Sequence, residues 1–170
     1  MRLGITIPLD GFQNRHFLDL VRHAEKLGFS DAWSFETFQT DAIAPVAAAA
    51  AVTERMRLGT AIVPVFTRPP ALIAMSAASL QQYSGGRFIL GVGISTPTIV
   101  ENWMGVPYQR PITRIRETVA ALRSAFSGEK VTIADAREVT LPNGRAGWEG
   151  YCPECGAPLF AIRRGTRARG

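Results

Sequence analysis

The chain has 170 residues, 46% hydrophobic and 19% charged, which is enough material for a folded domain with a real core. No window holds the roughly 18 uncharged apolar residues that a membrane span needs. Met1-Arg2 leads straight into a strand pattern with no apolar signal-peptide core, so a cytoplasmic protein without membrane contact is expected. The net charge is +5, but Arg163, Arg164, Arg167 and Arg169 supply four of those charges; the body is near neutral, and no nucleic-acid partner is expected.

Arg2 to Pro8 reads as a first strand, with Leu3, Ile5 and Ile7 apolar. Phe17, Leu20, Val21, Ala24 and Leu27 follow at helical spacing, and Gly28 ends that helix. Asp31 to Phe35 is a second strand running into the polar and aromatic loop Glu36-Thr37-Phe38-Gln39-Thr40. Thr40 or Asp41 can cap a second helix, which carries Pro45 near its start and then an alanine run suited to close packing on a sheet. Leu58 to Val65 is a short apolar run, as a buried parallel strand should be. Pro70 suits the first turn of a third helix, where Leu72, Ile73, Ser76, Ser79, Leu80 and Tyr83 recur at helical spacing until Gly85-Gly86. Phe88 to Val92 is a fourth strand, ending in Gly91-Val92-Gly93. A loop from Ile94 to Ile112 precedes a fourth helix over Thr113 to Phe126, with Ile115, Val119, Leu122 and Phe126 on one face.

The strand centres, Ile5, Trp33, Ala61 and Leu90, recur at about 28 residues, the spacing of a repeated supersecondary unit. Four such βα units fit a doubly wound sheet or half of a (β/α)8 barrel. Past Lys130 the pattern fails. Val131-Thr132-Ile133 and Val139-Thr140-Leu141 could form a short hairpin, and no structure is assigned from Asn143 to Gly170. The domain reading is therefore 1–129 for the βα body and 130–170 for an irregular tail with a basic end.

Several stretches make residues 1–129 resemble the luciferase-like monooxygenase superfamily, and within it the oxidoreductases that depend on the deazaflavin coenzyme F-420. They are Leu3-Gly4-Ile5, Asp31-Ala32-Trp33-Ser34-Phe35-Glu36, Arg57-Leu58-Gly59-Thr60-Ala61-Ile62, Thr67-Arg68-Pro69-Pro70-Ala71-Leu72, Ser84-Gly85-Gly86-Arg87-Phe88-Ile89-Leu90-Gly91-Val92-Gly93, and Gly105-Val106-Pro107-Tyr108 with Pro111 and Arg114. The resemblance implies a (β/α)8 barrel, a fold of typically about 250 residues, of which this chain would supply the first four βα units.

The resemblance also implies an active site at the C-terminal ends of the strands, which here are Pro8-Leu9-Asp10, Phe35-Glu36-Thr37, Ala61-Ile62-Val63-Pro64 and Gly91-Val92-Gly93. It places a bulge with a non-proline cis peptide, set against a flavin ring, at Ala61-Ile62, with Val63 beside it. Gly91 and Gly93 would let a planar cofactor approach strand four, or mark only a tight strand end. Ser95 and Thr96 offer hydroxyls in the next loop. Glu36 and Thr37 stand where relatives often carry an acid–His pair and are the catalytic candidates; the bland reading of Glu36 is a loop acid or a contact near the second helix. Arg68 faces either the cofactor's acidic tail or water. The implied chemistry is hydride transfer between the deazaflavin and a small organic substrate, with an FMN-dependent monooxygenase as the alternative. The open edges of four strands predict a homo-oligomer.

Cys152-Pro153-Glu154-Cys155 gives half of a tetrahedral zinc site, and His16 and His23 match no finger spacing, so no metal site is assigned. A metal shared between two chains and a redox pair remain open. A third functional class is a non-catalytic half-barrel whose tail binds zinc or a partner.

Overall fold

A computed structural model describes residues 2–8, 16–128, 134–140, 146–151 and 158–162. The readings that fall on Leu9-Asp10, Val131–Ile133, Leu141-Pro142, Cys152–Gly156 and the terminal arginines lie outside the described residues.

Strands β1 (Gly4–Ile7), β2 (Asp31–Ser34), β3 (Arg57–Thr60) and β5 (Phe88–Ile89) form one parallel sheet in that order. A second parallel pair, β4 (Val63–Pro64) with β6 (Val92–Gly93), continues β3 and β5 past an interruption, so each of the third and fourth strands comes in two pieces. The register places Ile7 opposite Ser34 and Ser34 opposite Thr60. Neighbours in the sheet are neighbours in sequence. Right-handed crossovers that always step the same way return every helix to the same side of the sheet. That is the wall of a barrel; in a doubly wound sheet the order would reverse. The expected half-barrel of four βα units is what forms.

Helices α1 (Phe17–Lys26), α2 (Ile43–Ala50) and α3 (Pro70–Tyr83) follow the first three strands. The core lies between sheet and helices: Ile7, Ala32, Leu58 and Phe88 from the strands meet Val21, Val46, Ala49, Ala77 and Leu80. On α3 the buried face is Ile73, Ala74, Ala77 and Leu80. This corrects the expected stripe, because Leu72 and Tyr83 are exposed while the alanines do the packing. Small side chains let the helix sit close to the sheet, and larger apolar residues are left at its margins. Leu27, just past the end of α1, is exposed as well, against the expected stripe. On the other face of the sheet the Trp33 ring lies over Gly59, its register partner, where a Cβ would collide with it.

Pro70 opens α3 as expected, and Gly85 and Gly86 leave it at φ +63° and +88°, a region that side chains with a Cβ rarely enter. Asp41 is the cap of α2: its Oδ1 accepts from the backbone N–H groups of Ile43 (2.9 Å) and Ala44 (2.7 Å). The loop after β6 contains a π-helical turn, Thr98–Trp103, that periodicity did not suggest. Beneath it Val100 packs with Val65 and Phe66, joined by Val106, Tyr108 and Ile115, so the Gly105–Tyr108 motif closes a second small core.

The chain divides into two compact units, Met1–Arg116 and Glu117–Gly170, with the boundary inside helix α4 (Pro111–Ser127). On α4, Leu122 of the expected apolar face is buried beside Thr118, Ile115 and Val119 are half-buried, and Phe126 alone of that face is exposed. In the second unit β7 (Ala134–Thr140), β8 (Ala146–Tyr151) and β9 (Pro158–Ile162) form an antiparallel sheet in that order. The expected hairpin is thus shifted along the chain, and strands occupy ground read as irregular. Glycines and prolines between short strands hid the alternation.

Candidate active site

Because the strands are parallel, their C-terminal ends gather at one rim, and the loops leaving them carry the candidates. The loop after β2 and the loop before α3 enclose a cleft of about 340 Å³, lined by residues 36–41, Thr67, Arg68, Leu72, Trp103 and Met104. That is the lower end of the usual range for small-molecule sites, roughly 300–1,000 Å³.

Glu36 is buried at the base of this cleft. Its Oε2 accepts from Arg68 Nη2 (3.0 Å), Arg68 Nε (3.3 Å) and the backbone N–H of Ala42 (3.4 Å), while among the described residues Oε1 accepts only from Thr67 Oγ1 (3.4 Å). The reading of Glu36 as a contact near the second helix and its reading as a site acid are therefore compatible. Arg68 corrects its expectation: it faces neither open water nor a vacant anion site, but pairs with Glu36 and with Asp41 and is only 20% exposed. Burial works against its charge, yet the hydrogen bond and charge of Glu36, reinforced by Asp41, hold its pKa above the usual arginine value. Thr37 lines the cleft and closes the loop through its backbone N–H to the Thr40 carbonyl (3.1 Å). Phe38 meets Trp103 edge to face, with ring centroids 5.7 Å apart.

The cofactor candidates form a separate group along the seam between the third and fourth strands. The peptide Ala61-Ile62 is cis, as the resemblance implied. Ala61 is exposed, Ile62 is half-buried, and Val63 is buried, so Val63 offers its backbone rather than its side chain. The Ala61 N–H donates to the Ser34 carbonyl (2.6 Å) and the Val63 N–H to that of Gly91 (2.9 Å). At the break in the seam Thr60 acts as a substitute for main chain: its Oγ1 donates to the Gly91 carbonyl and accepts the Gly91 N–H, each at 2.9 Å. A Cβ at Gly91 would run into the Thr60 carbonyl oxygen, and one at Gly93 would lie 2.8 Å from Ile62 Cγ1. Both glycines thus have a strand-packing reason to be there.

Ser95 leaves the fourth strand at φ +59°, unusual for a residue with a Cβ, and its carbonyl accepts from the Tyr108 hydroxyl (3.4 Å). Thr96 is exposed and accepts the Ile99 N–H at the start of the π-helical turn (3.3 Å). Of the sequence candidates, then, Glu36 and Thr37 share the cleft; Ala61, Ile62, Val63, Gly91 and Gly93 share the seam; Ser95 and Thr96 lie on the loop leading to Trp103. Asp41, Thr60 and Trp103 were missed as site residues, and Arg68 was weighed without its partner Glu36. A lone threonine in an apolar strand was the available signal for Thr60. Among the described residues no cluster of acids, histidines or cysteines could hold a metal ion, and no helix is long and apolar enough to cross a membrane.

The family model of luciferase-like monooxygenases matches residues 1–146. A Mycobacterium tuberculosis protein named for coenzyme F-420-dependent oxidoreduction is 35% identical over 143 residues, covering 84% of this chain and 41% of that protein. Among solved structures, the coenzyme F-420-dependent tetrahydromethanopterin reductase of Methanopyrus kandleri matches with a TM-score of 0.62 and 27% identity, over 72% of this chain and 39% of its own. A monooxygenase from Streptomyces bottropensis matches with a TM-score of 0.67 and 28% identity, over 79% and 45%. The chain spans less than half the length of each of these proteins.

Proposed function

The chain belongs to the luciferase-like monooxygenase family, and on that premise we propose that it is, or contributes the N-terminal half of, a deazaflavin (coenzyme F-420)-dependent oxidoreductase. The reaction is hydride transfer between the cofactor and a small organic substrate. The observation that carries this reading is the broken seam at the strand ends. It leaves the small, exposed Ala61 at the rim, between ladder bonds made by Thr60 on one side and Val63 on the other. A flat ring can approach the backbone at Ala61, where the side chain is a single methyl. The relatives named for coenzyme F-420 favour a deazaflavin as that ring.

Ala61 and Ile62 would lie against the ring, and Ser95 and Thr96 would supply polar contacts at the loop beside it. Gly91 and Gly93 serve the seam itself. When bound, the deazaflavin supplies the carbon that gives or takes the hydride. The chain's own part is placement. Glu36 is held as an acceptor at the base of the cleft, and Phe38 and Trp103 cover its mouth with apolar surface. An FMN-dependent monooxygenase is the second reading: the Streptomyces relative is named a monooxygenase, and the seam suits any flavin ring.

Ala61→Leu tests the placement. Ala61 is exposed, so the fold tolerates a larger side chain, and the substitution should weaken deazaflavin binding at least about tenfold with the melting midpoint unchanged. Undiminished binding would put the ring elsewhere.

A further inference from the structure

The charges around the cleft limit what can enter it. Glu36, Asp41 and Arg68 are the charged residues among those lining it. Arg68 is the one cation of the set, and both carboxylates already claim it: Nε and Nη2 bond Glu36, and Nη2 also pairs with Asp41. Two carboxylates against one guanidinium leave the cleft with a net negative charge. The acceptor with least to do is Glu36 Oε1, whose one partner among the described residues is the Thr67 hydroxyl at 3.4 Å. The rest of the mouth is apolar: Phe38, Leu72, Trp103 and Met104 are all at least partly exposed there, and an aromatic face adds attraction for a cation.

We propose that this cleft selects substrates that bring a hydrogen-bond donor, an ammonium or a hydroxyl, on an apolar body, and rejects anionic groups such as carboxylate or phosphate. The donor meets Glu36 Oε1, and the body rests against Trp103 and Phe38. Asp41 is the residue that sets the sign. By sharing Arg68 Nη2 with Glu36, it engages the one cation among the described residues of the cleft and weakens its competition for an anion. The inference rests on the reading above only in taking the cleft as the substrate end of the site.

The test uses the chain without cofactor, so its failure is distinct from a failure of the deazaflavin reading. Benzylamine, benzyl alcohol and benzoate share one body and differ in the charge of the head group. Each is titrated at pH 7 while the indole N–H resonance of Trp103, identified with Trp103→Phe, is followed by NMR. Benzylamine and benzyl alcohol should shift that resonance, with benzylamine binding about five- to tenfold more tightly than benzoate, as one net charge in a partly exposed cleft allows. Glu36→Gln should remove the preference for the amine. Asp41→Asn, at an exposed position, should narrow it and serves if Glu36→Gln fails to give a folded spectrum. Benzoate binding as tightly as benzylamine, no shift with any probe, or an amine preference unchanged in Asp41→Asn would each overturn the proposal.

Discussion

Replacing Thr60 by valine removes one hydroxyl and keeps the shape. That hydroxyl makes two bonds to one residue, donating to the Gly91 carbonyl and accepting the Gly91 N–H at 2.9 Å each, and Thr60 is only 1% exposed. An intramolecular hydrogen bond contributes about 1 kcal/mol, and a buried group left without its partner costs about 1–3 kcal/mol. Since Gly91 is partly exposed, water recovers some of the loss, and about 2–3 kcal/mol is the expected destabilisation. For a chain of this size that is a fall of roughly 6–10 °C in melting midpoint by circular dichroism. Thr60→Ser keeps the hydroxyl and loses one methyl, about 0.8 kcal/mol, so it should fall much less. A Thr60→Val midpoint within about 1 °C of the parent, or a serine variant less stable than the valine one, would refute the view that this hydroxyl holds the seam together.

Gly91→Ala should be worse than either, because its Cβ meets backbone, the Thr60 carbonyl, rather than a movable side chain; soluble yield and midpoint check it, and a parent-like melt would contradict the close approach. Gly59→Ala should destabilise through the Trp33 ring, and Trp33→Leu in the same chain should recover part of the loss; a double-mutant cycle with no coupling would separate the two residues. Burial alone would raise the Glu25 carboxyl, but N–H groups of Arg55, Met56 and Glu54 outweigh it and hold its pKa below the usual value. The buried Asp31 is likewise held down by Ser30 and Arg57. A depressed carboxyl stabilises above its unfolded pKa and loses that contribution as pH falls through the folded one. Resistance to urea should therefore fall as pH drops into and below the ordinary carboxylate range, less steeply in Glu25→Gln. An unchanged slope in that variant would exclude Glu25 as a contributor.

Much of the fold is legible because βα units write local signals. Pro70, Gly85-Gly86 and the Asp41 cap each act on a neighbouring turn, and the recurring strand centres set the architecture. The cleft was harder to read. Arg68 reaches Glu36 across 32 residues because β2 and β3 are adjacent and so bring their loops together, which no local pattern states. The buried face of α3 escaped because alanine carries little weight in an apolar stripe yet packs closest to the sheet. Glycines 91 and 93 were legible as glycines the strand needs, but their neighbours were not: a Cβ there would meet Thr60 and Ile62, which sequence spacing does not state.

The most direct measurement is the melting midpoint of the chain alone and with excess deazaflavin coenzyme or excess FMN. A ligand that binds only the folded state adds about 2.7 kcal/mol at one hundred times its dissociation constant, enough to raise the midpoint by several degrees. The account predicts a cooperative melt that rises with the deazaflavin and moves less with FMN. A cooperative melt indifferent to the deazaflavin, or one raised only by FMN, would contradict it.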